Sequence, residues 1–211
     1  MRSLFLLVGF LVLGLAWIAP LPALAERAFS GHMLMHMAVV AVAAPLLALG
    51  IAATSADPVK KLPAFFAAIP ASMVELIIVW AWHAPMLHDA ARHSTGGFVV
   101  EQCLFLLAGL WVWLSAFGGE PDRNRCGAGI VALLLTSMHM ALLGALLALT
   151  PRPLYAHAHK DHLMPLTALE DQHLGGAIMI LVGGVSYLAG GLWLTLSLLR
   201  AKALDKEANV S

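Results

Sequence analysis

Imidazole is the commonest protein ligand for copper, zinc and haem iron, and this chain gathers it on one side. Nine of its ten histidines lie at or beyond the same ends of its apolar segments: His32, His36, His83, His88, His93, His157, His159, His162 and His173. His139 alone falls inside a segment. Metal binding on one face of a membrane protein is the chemistry this pattern suggests.

The run His32-Met33-Leu34-Met35-His36-Met37 carries the sharpest spacing. Residues four apart share a helical face, so His32 and His36 can converge on one ion with Met35 on the same stripe. Imidazole with thioether favours copper, Cu(I) especially, over magnesium or calcium. The same run also reads as interfacial histidines beside packing methionines. A second group is Trp82-His83-Ala84-Pro85, then His88-Asp89 and His93. Here His83 closes a helix that Pro85 ends, Asp89 is an acceptor that could orient a neighbouring imidazole, and His88 and His93 fall in a loop.

The third group is Met138-His139-Met140, deep within a segment. At ~1.5 Å per residue, His139 lies about 16 Å and Glu75 about 13 Å below the outer rim. Ionisable groups at such depth should face the bundle interior and find partners, so Glu75 and His139 are expected to pair, either in a metal site or in a packing contact. The fourth is Glu170-Asp171-Gln172-His173, where Asp171 could also cap its own helix. Glu101, with Gln102 beside it, would complete a polar ring at the level of His32 and His173. Cys103 is a further candidate soft ligand, and His157, His159 and His162 occupy one loop that could capture divalent metal loosely or simply be solvated.

These groups need a scaffold, and the composition names it. Of 211 residues, 61% are hydrophobic and 11% charged, and the mean hydropathy is +0.86. That is an integral membrane protein, expected to be an all-α polytopic bundle in the lipid bilayer. Apolar stretches run over Leu4–Leu24, Phe29–Ala53, Leu62–Ala84, Phe98–Gly118, Gly127–Thr150 and Leu174–Leu199. If they alternate, Arg2, Lys60, Lys61, Arg123, Arg125, Arg200, Lys202 and Lys206 share one side, against Arg27, Arg92, Arg152 and Lys160 on the other. The richer side is cytoplasmic by the positive-inside rule, so the histidine ends are expected to face the periplasm from a bacterial inner membrane. Trp80 and Trp82, with Trp111 and Trp113, would form interfacial belts.

The expected organisation is residues 1–25 as a signal peptide or first transmembrane helix, 26–200 as five core helices with His-rich outer loops, and 201–211 as a cytoplasmic tail. Ala23-Leu24-Ala25 before Glu26 matches a small-residue cleavage site and favours removal of the first segment. Pro85–Gly97 and Pro151–Gln172 are expected to be outer loops, and glycines 144, 183, 184, 190 and 191 to let helices approach closely. Cys103 and Cys126 fall at opposite helix ends, too far apart for a disulfide. Net charge is zero, which gives no reason to expect nucleic acid as a partner. No nucleophile–base dyad, phosphate loop or dinucleotide fingerprint is present, so enzymatic turnover is not expected.

Taken in order, these groups resemble the CtaG-type membrane proteins that assist assembly of haem-copper cytochrome c oxidases. The similarity covers His32 to Met37, Trp82 to Pro85 with Asp89-Ala90, and Glu101 with Phe105, Gly109 and Trp113. It continues through His139-Met140 with Gly144, Pro151 to Tyr155, and Asp171-Gln172 with Gly175-Gly176 and Met179. Gln102 departs from it, since the family often has histidine there. The resemblance implies an assembly factor whose partners are an oxidase subunit and a periplasmic copper chaperone, with copper as the cofactor. It points to His32, His36, His83, His93, Glu101, His139, Asp171 and Gln172. The expected metal set is these histidines with His173, Met35 and Met140, supported by Glu75, Glu101, Asp171 and Gln172. Two other readings stay open: a b-type cytochrome with paired axial histidines, and a metal-free structural chaperone of an oxidase subunit.

Overall fold

The computed structural model describes residues 1–18, 20–120, 122–155 and 166–208, with side chains through Arg200. Helix dominates it. Helix α1 spans Arg2–Trp17 and α2 spans Leu21–Ala25. Helix α3, Phe29–Met37, continues through a π-helical turn at Ala38–Ala43 into α4, Ala44–Ile51. Then follow α5 (Ala68–Trp82), α6 (Pro85–His93), α7 (Thr95–Phe117) and α8 (Arg123–Leu149). Helix α9, Ala168–Ile178, passes through a second π-helical turn, Met179–Gly183, into α10, Gly184–Ala208.

Among the described residues, four continuous segments are long and apolar enough to cross a membrane: Phe29–Ile51, Thr95–Phe117, Arg123–Leu149 and Ala168–Arg200. Helices α5 and α6 add a fifth if taken as one span, bent by 71°. The chain is therefore a multi-pass membrane bundle. Its central helix is Phe29–Ile51, whose apolar stretch is 61% buried against 28% for Ala168–Arg200. That difference puts the histidine-bearing α3 in the protein interior rather than against lipid.

The π-helical turn of the central helix is held from two sides. Wide turns free backbone carbonyls, and a freed carbonyl in an apolar interior needs a donor. Trp113 Nε1 donates to Val40 O at 3.1 Å and Ser186 Oγ to Ala41 O at 2.6 Å, tying α7 and α10 to the centre. Trp113 is thus a core residue, 2% exposed, and not the belt residue its position in the sequence suggests. Close approach of α8 and α9 needs glycine: a Cβ on Gly176 would stand 2.5 Å from the Gly144 carbonyl oxygen. Glycines 184 and 191 face open space and do not serve this purpose.

The first segment packs into the bundle. Gly9 lies against Leu47, Gly50 against Leu6, and Ala16 is fully buried. At the end away from the histidines, Asp57 is buried and accepts from Ala53 N, Val59 N and Gly119 N at 2.8–3.0 Å, joining two connections.

Two expected boundaries are corrected. The stretch Pro85–Gly97 is not a loop: Pro85 opens α6, where its missing N–H would be unpaired anyway. The apolar stretch from Leu62 to Ala84 shortens to Ala68–Trp82 because residues 62–67 form turns.

Candidate metal centre

The ends of α3, α5, α6, α7 and α9 meet at one end of the bundle, and each contributes to a polar cluster. Helix α3 contributes His32 and His36, 1% and 0% exposed. Its first turn is fixed from afar: the Asp171 carboxylate of α9 accepts from Phe29 N at 2.6 Å, from Ser30 N at 3.2 Å, and from Ser30 Oγ. Asp171 is therefore not the cap of its own helix. That role belongs to Thr167, which forms a capping box with Glu170.

His83 closes α5, and its Nδ1 lies 2.7 Å from Val79 O. A carbonyl can only accept, so Nδ1 carries the proton and Nε2 keeps its lone pair. The His83 ring stands 5.2 Å from that of His36 and 6.2 Å from that of His32. His88, on the buried side of α6, meets His32 edge-on at 4.8 Å. Glu101, fully buried near the start of α7, puts Oε1 4.0 Å from His32 Nε2. One ligand atom from each of His32, His88 and Glu101 lies within 4.8 Å of the others. A tetrahedral ion with bonds of about 2.1 Å would set its ligands roughly 3.4 Å apart. Closure by up to about 1.4 Å would make a three-coordinate site, with His36 and His83 adjacent.

Aromatic rings wall the cluster. Phe105 lies 4.0 Å from His36, and Phe29 stacks on Tyr155 at 4.4 Å. Tyr155, in the connection after α8, also contacts His88 at 4.5 Å and donates its hydroxyl to His83 O at 2.5 Å. Burial, helped by the nearby Asp89 carboxylate, raises the Tyr155 hydroxyl's pKa well above its ordinary value and keeps it a donor.

Glu101 has an ionic partner that the sequence did not mark. Arg92 Nη2 forms an ion pair with Glu101 Oε2, and Gln102 Nε2 donates to the same oxygen at 3.3 Å. Trp17 of α1 in turn donates to Gln102 Oε1 at 3.2 Å. Gln102, in the position where a further histidine was conceivable, thus serves as a relay between α1 and Glu101.

Six ring nitrogens in the cluster have no hydrogen-bond partner among the described residues: both of His32, both of His36, Nε2 of His83 and Nδ1 of His88. Buried polar atoms are nearly always paired, and leaving one unpaired costs roughly 1–3 kcal/mol. A neutral imidazole carries one N–H and one lone pair, so up to four of these six nitrogens offer a lone pair, a concentration that fits a cation better than it fits packing.

The other expected ligands lie elsewhere. His93 is exposed, with Nδ1 on Asp89 O, because it occupies the opposite face of α6 from His88. His173 gives Nε2 to Thr150 O at 3.0 Å, a link between α9 and the end of α8. Gln172 joins Leu154 N and Leu147 O. Cys103 is exposed on α7. Met35 and Met140 are buried in the bundle core. Glu75 pairs with Tyr187, whose hydroxyl is 3.1 Å from Oε1, and not with His139. Both nitrogens of His139 are unpartnered among the described residues, and His139 stands apart from the rim cluster. His157, His159 and His162 lie outside the described residues.

A multi-pass helical bundle with a buried imidazole–carboxylate cluster at one end is the class of protein that fold and site define. The chain belongs to the cytochrome c oxidase caa3 assembly factor family (Caa3_CtaG), whose sequence model matches residues 1–201. No curated protein and no solved structure matches it.

Proposed function

We propose that this assembly factor takes up one copper ion, as Cu(I), at His32, His88 and Glu101, with His36 and His83 as adjoining ligands, and passes it to a haem-copper oxidase subunit. Copper here is cargo. The observation that carries the reading is the set of six orphaned ring nitrogens packed around one buried carboxylate. Neutral imidazole suits copper, and the enzyme whose assembly the family serves contains it. The histidine end would face the periplasm, where a soluble copper chaperone could load it, because the opposite end carries more lysine and arginine. A haem reading is disfavoured by space, since rings 4.8–5.2 Å apart with Phe105 against them leave no slot for a macrocycle.

The test is anaerobic Cu(I) titration of the purified protein, with X-ray absorption to identify the ligand atoms. The wild type is expected to bind one ion through nitrogen and oxygen, His88→Ala to bind it on the order of 10–100-fold more weakly, and His93→Ala to match the wild type. Full oxidase copper content in cells carrying His32→Ala with His88→Ala at normal abundance would overturn the reading and favour the metal-free chaperone.

A further inference from the structure

Arg92 stands at a boundary. On one side it pairs with Glu101 inside the cluster; on the other it lines a separate cavity of about 390 Å³ at the outer end of the bundle. That cavity is bounded by Pro22 and Glu26 after α1, by Arg92 and His93 of α6, and by Phe98 of α7. The Arg92 guanidinium also lies over the Phe98 ring, 5.2 Å from its centre. Its Nε is buried with no partner among the described residues, so the side chain is not locked at every donor.

We infer that Arg92 is an exchangeable counter-ion: it neutralises Glu101 when no metal is bound, and an arriving cation displaces it into the outer cavity, which serves as the entry vestibule. The inference rests on the copper reading above. A fully buried carboxylate needs one positive partner, and the structure supplies one in Arg92. A monovalent copper ion on Glu101 would supply the same charge, and a guanidinium held beside it would then be repelled across a few ångströms of low dielectric. Swapping one monovalent cation for the other keeps the buried site neutral in both states. The displaced guanidinium has somewhere to go: already over Phe98, it can turn from Glu101 into the vestibule, toward the Glu26 carboxylate on the same lining. His93, exposed on the same wall, would be a transient contact for the incoming ion and not a ligand at rest. Arg92 also gives the site a means of release, since its return to Glu101 would compete with the bound metal.

The experiment compares wild type, Arg92→Met and Arg92→Lys in nanodiscs under reducing conditions, with Cu(I) alone titrated against a chromogenic chelator. Arg92→Met removes the competitor and is expected to bind Cu(I) roughly tenfold more tightly or better and to release it more slowly. Arg92→Lys keeps the charge and should stay near the wild type. In parallel, phenylglyoxal modification of wild-type Arg92, read by peptide mass, should rise severalfold when Cu(I) is loaded, and this needs no variant to fold. Unchanged affinity in folded Arg92→Met, or an Arg92 equally unreactive with and without Cu(I), would overturn the exchange and leave the copper reading standing. A wild type that binds no Cu(I) would overturn both.

Discussion

Asp171 offers the most direct check on how the cluster is held, because its carboxylate serves a helix about 140 residues earlier in the chain. It accepts from Phe29 N, Ser30 N and the Ser30 hydroxyl, donors that the first turn of α3 cannot satisfy itself. Asp171→Ala would orphan all three in a buried setting. At the lower end of the ~1–3 kcal/mol per lost buried partner, the sum for three donors is about 3 kcal/mol. At 1.4 kcal/mol per decade, that is roughly a hundredfold in the local opening equilibrium of α3. Hydrogen exchange read by mass spectrometry on peptides covering Phe29 to His36 should therefore quicken by about that factor, while α7 and α8 exchange as before. Asp171→Asn keeps one acceptor oxygen and should fall between the two. Unchanged protection of α3 in Asp171→Ala would refute the reasoning, since it would mean that the carboxylate is not what fixes the histidine helix.

Two other outcomes are expected. The fate of the first segment is read from intact mass: the Ala23-Leu24-Ala25 site predicts a mature chain starting at Glu26. A mass that includes residues 1–25 would refute that and keep the Trp17 bond to Gln102 in the mature protein. At mid-depth, Tyr187→Phe should lower thermal stability by roughly 1–3 kcal/mol by removing the hydroxyl that donates to Glu75 Oε1 and leaving it Thr136 alone, whereas His139→Ala should leave Glu75 paired and change stability less. The reverse order in a thermal unfolding series would restore the Glu75–His139 pair.

The bundle was legible because lipid imposes a coarse grammar: apolar stretches of about 20 residues must be helices. His32 and His36 were legible for a similar reason, since spacing of four puts both on one helical face whatever surrounds them. Proline was the point of ambiguity. Pro85 reads equally as the end of one helix or the first residue of the next, and taking it as an end consigned His88 to a loop. The missed signal was local: His88 and Arg92 are four apart with Ala91 between, while Asp89 and His93 share the other face. A helix starting at Pro85 sorts them into a buried and an exposed side.

What no spacing rule reaches is a partner supplied from elsewhere in the chain. For Asp171 the sequence offered a supporting place in the metal site or a cap on its own helix, the nearest set of free N–H groups, yet Thr167 already caps that helix and the carboxylate reaches α3 instead. Glu75 was expected to seek the other mid-depth ionisable group, and a tyrosine on α10 was nearer. Both cases follow one rule. A buried polar group takes whichever partner tertiary packing brings within about 3 Å, and sequence separation carries no weight in that choice. By the same rule, a cluster in which four imidazoles are brought together and six of their nitrogens have no partner among the described residues is not explained by packing alone. The fold had other polar groups nearby, Gln102 and Tyr155 among them, and directed those to a tryptophan, a carboxylate and a backbone carbonyl. The imidazole lone pairs are what remains available to an incoming ion.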